Sequence, residues 1–191
     1  MNKTPVRIVQ TQDIHGNKKV GVMLDVSYYL DTKGDNTGAS IEKFKKLYFD
    51  TVDKAKKLFY GKYVEERKKY QNLPSTLYWK LGCILLEFTT SIQDEFVITN
   101  YTQALERDFG LSRGYFNELL VFVNVFKKDE ILDSIPISYY RMLMRKRTQL
   151  QKLGIFEKEK MRLIRIGKEN KLTGREKYRR ELAQIIEKKN N

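Results

Sequence analysis

A mainly α protein is predicted: a helical helix-turn-helix domain preceded by a long basic amphipathic helix and a small N-terminal β-hairpin. Three observations predict it. Apolar residues recur at three- and four-residue steps from Ile41 onward, the period of one helix face. Period-two alternation is confined to about residues 4–32. Gly110-Leu111-Ser112 then separates two apolar helical segments with a turn and a cap.

The hairpin rests on Val20, Val22, Leu24 and Val26, which alternate as in a half-buried strand, with Val6, Ile8 and Ile14 on the other arm of a Gly16-Asn17 turn. Residues 33–40 are a polar, glycine-bearing linker whose Ser40 can cap the next helix. Residues 1–40 therefore form the first predicted part, hairpin and linker.

Residues 41–73 form the second. Ile41, Phe44, Tyr48, Val52, Ala55, Phe59 and Tyr63 define one apolar stripe, and Lys43, Lys45, Lys46, Lys54, Lys56 and Lys57 cover much of the rest. A stripe that long needs a protein partner, so the helix is expected to dock on a core or to pair with a second copy. Pro74 marks its boundary.

Residues 74–191 form the third part, a helical domain. Helices are expected over 77–89, with Trp79, Leu81, Ile84, Leu85 and Phe88 apolar, then over 99–108, 113–126, 138–152, 158–170 and 173–188. Short connections join them, as in compact helical domains.

Residues 101–117 have the layout of a helix-turn-helix. Ala104 and Leu105 lie on the inner face of a short helix, Gly110 supplies the positive φ of a sharp turn, and Leu111 fills the interhelical angle. Ser112 caps the next helix, whose free N–H groups can meet a phosphate. Phe116, Leu119, Leu120, Val123 and Phe126 are its expected buried stripe, leaving Arg113, Gly114 and Asn117 outward near the N-terminal end. Recognition helices place base contacts there; Arg pairs with guanine and Asn with adenine. An ordinary helical hairpin uses the same turn and cap, so the neighbouring charge matters.

That charge is lopsided. Thirty-seven Lys and Arg against 24 Asp and Glu give +13, and residues 127–191 alone carry 19 basic and 9 acidic side chains. Such a field attracts a polyanion, nucleic acid being the commonest; a solvated lysine-rich surface is the plainer alternative. One Cys and one His cannot build a zinc finger. Cys83, in an apolar run, reads as a small core residue, and His15 as part of a turn. No phosphate-binding glycine loop or nucleophile elbow appears, so no enzyme and no cofactor are expected. Glu157 and Glu159 beside Lys158 and Lys160 are the nearest approach to a metal-dependent nuclease pattern. With no signal peptide or membrane-length apolar run, a soluble cytoplasmic protein is expected.

Residues 77–185 resemble the central DNA-binding domain of ParB-type partition proteins, and also a helical domain of nuclease-associated bacterial proteins. The resemblance rests on Tyr78-Trp79-Lys80-Leu81-Gly82, Phe109-Gly110-Leu111-Ser112, Ile137-Ser138-Tyr139-Tyr140-Arg141-Met142-Leu143 and Leu172-Thr173-Gly174-Arg175-Glu176. It implies that the second landmark is a DNA-reading helix-turn-helix. The arginine-rich nucleotide-binding motifs of a full ParB are missing upstream, so CTP binding is not implied.

The resulting expectation is a sequence-specific duplex-DNA-binding protein, a homodimer, acting in transcription regulation or plasmid or viral DNA maintenance. Arg113, Tyr115 and Asn117 would read bases. Ser112, Tyr139, Tyr140, Arg141, Arg145, Lys146, Arg147, Arg162 and Arg165 would hold phosphates. Dimerisation would use the Ile41–Tyr63 stripe or the hairpin. A metal-dependent nuclease or nuclease subunit, and an RNA-binding or basic interaction protein, are the alternatives.

Overall fold

The structure, a computed structural model, describes residues 7–12, 18–23, 38–60, 74–95 and 112–190. Among these the chain is mainly helical. The helices are α1 (Gly38–Tyr60), α2 (Ser75–Glu95), α3 (Arg113–Val125), α4 (Ile137–Arg145), α5 (Arg147–Lys152), α6 (Phe156–Lys168) and α7 (Arg175–Asn190). A 3-10 turn spans Lys128–Glu130. Segments Arg7–Gln12 and Lys18–Met23 run antiparallel, with Arg7 opposite Met23. Their connection and flanks lie outside the described residues, and the hairpin as a folded part of the molecule is not supported. The helix expected at 99–108 and the Gly110 turn also lie outside them.

The chain divides into two compact units: residues 1–71 with 81–117, and residues 72–80 with 118–191. In the first, α1 buries the centre of its expected stripe, Phe44, Tyr48, Val52 and Ala55. Phe44 and Tyr48 meet Phe88 of α2 with ring centroids 6.4 and 6.0 Å apart, and Leu81, Leu85 and Ile92 are buried alongside Phe88 on that helix. The amphipathic helix therefore docks within its own chain. Of the two expected uses of the stripe, docking on a core or pairing with a second copy, these contacts are of the docking kind, with four of its seven residues buried. Lys54 reaches Glu87 at 3.2 Å across the exposed side. Cys83 is a half-buried free thiol, its pKa raised by desolvation.

The second unit is built on an aromatic centre. Phe122, Phe126 and Tyr140 stand 4.9–5.5 Å apart, ringed by Ile135, Leu143, Leu150, Leu163, Tyr178 and Leu182. Burying each such side chain contributes about 1.5–3 kcal/mol. The indole N–H of Trp79 donates to the Phe126 carbonyl at 3.0 Å, which fixes a half-buried ring against this core. Ser75 Oγ donates to the Ile135 carbonyl at 2.6 Å, and Thr76 donates twice to the Asp133 carboxylate.

Two local rules set the helix ends. Gly154, with φ +67°, follows α5, and Ile155 N–H reaches back to the Leu150 carbonyl. Asn170, with φ 51°, follows α6, and Lys171 N–H reaches back to the Ile166 carbonyl at 2.8 Å. Both are Schellman ends, which need a residue that tolerates the left-handed region. The helix expected over 138–152 is two helices, because Lys146 leaves helical geometry at ψ 1°. On α3 the buried positions are Phe116, Leu119 and Phe122, with Phe126 buried just past its end; Leu120 and Val123 are half-buried and Val121 is exposed. The expected stripe is centred too far round the helix, which the all-apolar run Leu119–Val123 makes ambiguous.

Candidate nucleic-acid interface

The first turn of α3 is capped as its sequence dictates. Ser112 Oγ accepts the Tyr115 N–H at 3.3 Å, and the Ser112 carbonyl accepts from Tyr115 and Phe116 at 2.9 and 3.1 Å. With Phe116 turned inward, Arg113, Gly114 and Asn117 are exposed, Ser112 with them, and Tyr115 is half-buried. Ser112, Arg113, Gly114 and Asn117 thus lie on the exposed side of the first turn, where the helix dipole favours negative charge.

In the second unit, α4 and α7 enclose a hollow of about 280 Å³. Ser138, Arg141, Met142 and Arg145 follow the i, i+3, i+4, i+7 pattern of one face of α4; Arg175, Glu176 and Arg179 are the matching face of α7. Arg145 donates to Glu118 at 3.0 Å, Arg141 is ion-paired with the same carboxylate, and Arg179 pairs with Glu176 at 2.8 Å. Four guanidinium groups thus share one small space. Sequence reasoning places Arg141 and Arg145 among the phosphate contacts but misses Arg175 and Arg179. Both pairs are spaced i, i+4 within their own helices, but that spacing does not say that the two helices face one space.

A second cationic face lies on α6, where Lys158, Arg162, Arg165 and Lys168 border a groove with Met161 and Ile164. Arg165 is exposed. Arg162 is only half-exposed and is held by two carboxylates, Glu159 at 3.1 Å and Glu181 at 2.6 Å. Burial pulls its pKa down, and the two carboxylates more than offset that, so the net shift is upward. Lys146 is half-buried at the α4–α5 break, and Arg147 lies 6.0 Å from the Phe156 ring centroid.

Tyr139 and Tyr140 do not belong to this surface, a correction to the expected phosphate contacts. Tyr139 is buried and its hydroxyl donates to the Thr173 carbonyl. Tyr140 is 0 % exposed; its hydroxyl donates to the Glu130 carbonyl at 3.1 Å and accepts the Leu132 N–H at 2.9 Å. Burial is the main cause that pushes the Tyr140 pKa up to about 12, with Asp133 and Glu130 adding to it against the Leu132 hydrogen bond. On the helix opened by Pro136, apolar packing claims both rings before any ligand can.

The acidic pair singled out in the sequence serves structure. Glu157 bonds to Lys160 at 2.9 Å, while Glu159 is buried against Arg162. Lys160 is itself buried, with Glu130 at 3.1 Å as its second partner. Among the described residues no group of three His, Cys, Asp or Glu side chains is placed to hold a metal ion, and no helix is long and apolar enough to cross a membrane. Comparison with protein-family models, characterised proteins and solved structures yields no match.

Proposed function

We propose that this chain is an intracellular protein that binds duplex DNA and reads its sequence with the first turns of α3. The single observation that carries the reading is the outward presentation of Arg113 and Asn117 on a helix start capped by Ser112. An arginine and an asparagine one turn apart can meet guanine and adenine edges in the major groove. Arg141, Arg145, Lys146, Arg147, Arg162 and Arg165 supply phosphate contacts, which position the protein without specifying sequence. The turn before α3, the N-terminal hairpin and the likeness of residues 77–185 to ParB-type domains belong to the same proposal, as does a role in transcription regulation or DNA maintenance. A homodimer would have to use a surface other than the centre of the α1 stripe, which α2 covers.

Selection of bound sequences from a random duplex pool tests this reading. A defined motif whose recovery depends on Arg113 and Asn117 is the expected result. Recovery of unenriched sequence at every salt concentration would end the sequence-reading claim.

A further inference from the structure

We infer that the hollow between α4 and α7 is a phosphate-binding site, and that Glu118 is a built-in anion that occupies two of its arginines until a phosphate displaces it. The natural phosphate would be the backbone of the bound DNA, so the inference rests on the duplex-DNA reading for the source of its ligand. Its chemistry stands on the hollow alone.

Four arginines line the space against one carboxylate, Glu176. Glu118, on α3, adds a second carboxylate, accepting from Arg145 and ion-paired with Arg141. Two positive charges remain in surplus, which matches one phosphate monoester dianion or two phosphodiester groups. Arginine forks converging from two helices fit the several oxygens of a phosphate better than the two of a carboxylate. The first turn of α7 forms one wall, so its dipole adds to the positive field.

The ion pairs now in place are of a kind that exchanges readily. The side chains of Arg145, Arg179 and Glu176 are 65 %, 67 % and 57 % exposed. Exposed pairs contribute little to stability, so a better anion can replace their carboxylates. Glu118 is more enclosed, at 29 %, and reaches both arginines of α4 at once. It therefore competes with a phosphate for both side chains and lowers the affinity for it.

The experiment titrates the full chain with inorganic phosphate and, separately, with a fluorescent duplex, comparing wild type, Arg175→Ala/Arg179→Ala and Glu118→Gln. Circular dichroism checks that each variant is folded. Saturable phosphate binding is expected, weakened roughly tenfold or more in the double variant and tightened several-fold by Glu118→Gln. No saturable phosphate binding to wild type, or equal phosphate and duplex affinity in wild type and the double variant, would overturn the site. Weaker rather than tighter binding in Glu118→Gln would overturn the competitor role and make Glu118 a positioning residue. Phosphate binding without any duplex binding would leave the hollow standing while the duplex-DNA reading fell.

Discussion

Gly167 of α6 lies so close to Ile135 that a Cβ built on it would overlap Ile135 Cγ1 and Cδ1. The Gly167 carbonyl also accepts from Ser134 Oγ at 3.1 Å, so the end of the helix is held against the loop before α4. In an exposed helix Gly→Ala would stabilise by improving helix propensity. Here the overlap outweighs that gain, and Gly167→Ala should destabilise by about 1–3 kcal/mol. Urea unfolding measures it; a stabilised variant would mean that the two segments do not approach as described.

Tyr140 gives a second test. Tyr140→Phe keeps the ring in the aromatic centre but removes the acceptor for the Leu132 N–H and the donor to the Glu130 carbonyl. A loss of about 1–3 kcal/mol is expected, because partly buried groups are left unpaired.

Alkaline pH probes the same hydroxyl. Its pKa is raised from the ordinary 10.0 to about 12, so the folded state holds this proton where the unfolded state has lost it. The stabilisation is full below about pH 10 and is lost as pH rises towards about 12. Tyr178, raised by burial in the same direction, adds to the slope. Melting temperatures between pH 9 and 12 should fall more steeply for wild type than for Tyr140→Phe; parallel curves would count against the buried hydroxyl.

Base reading and backbone contact separate by their sequence dependence. Arg113→Ala should cost about 1–3 kcal/mol on the preferred duplex and relax specificity there. Arg145→Ala should weaken binding on all sequences alike and reduce the salt slope by about one unit. Equal losses on every sequence for Arg113→Ala would remove it from the reading role, and an unchanged slope for Arg145→Ala would remove that contact.

Asn170 closes α6 at φ 51°, a conformation that costs an ordinary side chain about 1–2 kcal/mol. Asn170→Val should therefore destabilise by about that amount, and Asn170→Gly should be neutral or slightly stabilising. Thermal unfolding of the two variants decides it, since both leave the α6 cations untouched.

Much of the fold is legible in the sequence where one strong period dominates. Phe44, Tyr48, Val52 and Ala55 fall on one face by spacing alone, and all four are buried. The exposed start of α3 follows from a serine cap and an apolar Phe116. Legibility weakens where a side chain can serve two purposes. Tyr139 and Tyr140 carry hydroxyls suited to phosphate, yet their rings are worth more in an apolar centre, and only packing decides. The arginines of α7 are hidden for a different reason: no local pattern says that two helices some thirty residues apart in sequence face one space.

Glu159 and Lys160 are neighbours on α6, and both are buried. Successive residues point about 100° apart around a helix, so one charge is turned towards Arg162, itself tied to Glu181, while the other meets Glu130. An apolar stripe tolerates some roll of a helix about its axis; this pair does not, because a modest roll would strand two opposite charges at once. α6 is thereby keyed to a single azimuth, and its outer row of cations is aimed by groups on the opposite, buried side of the helix.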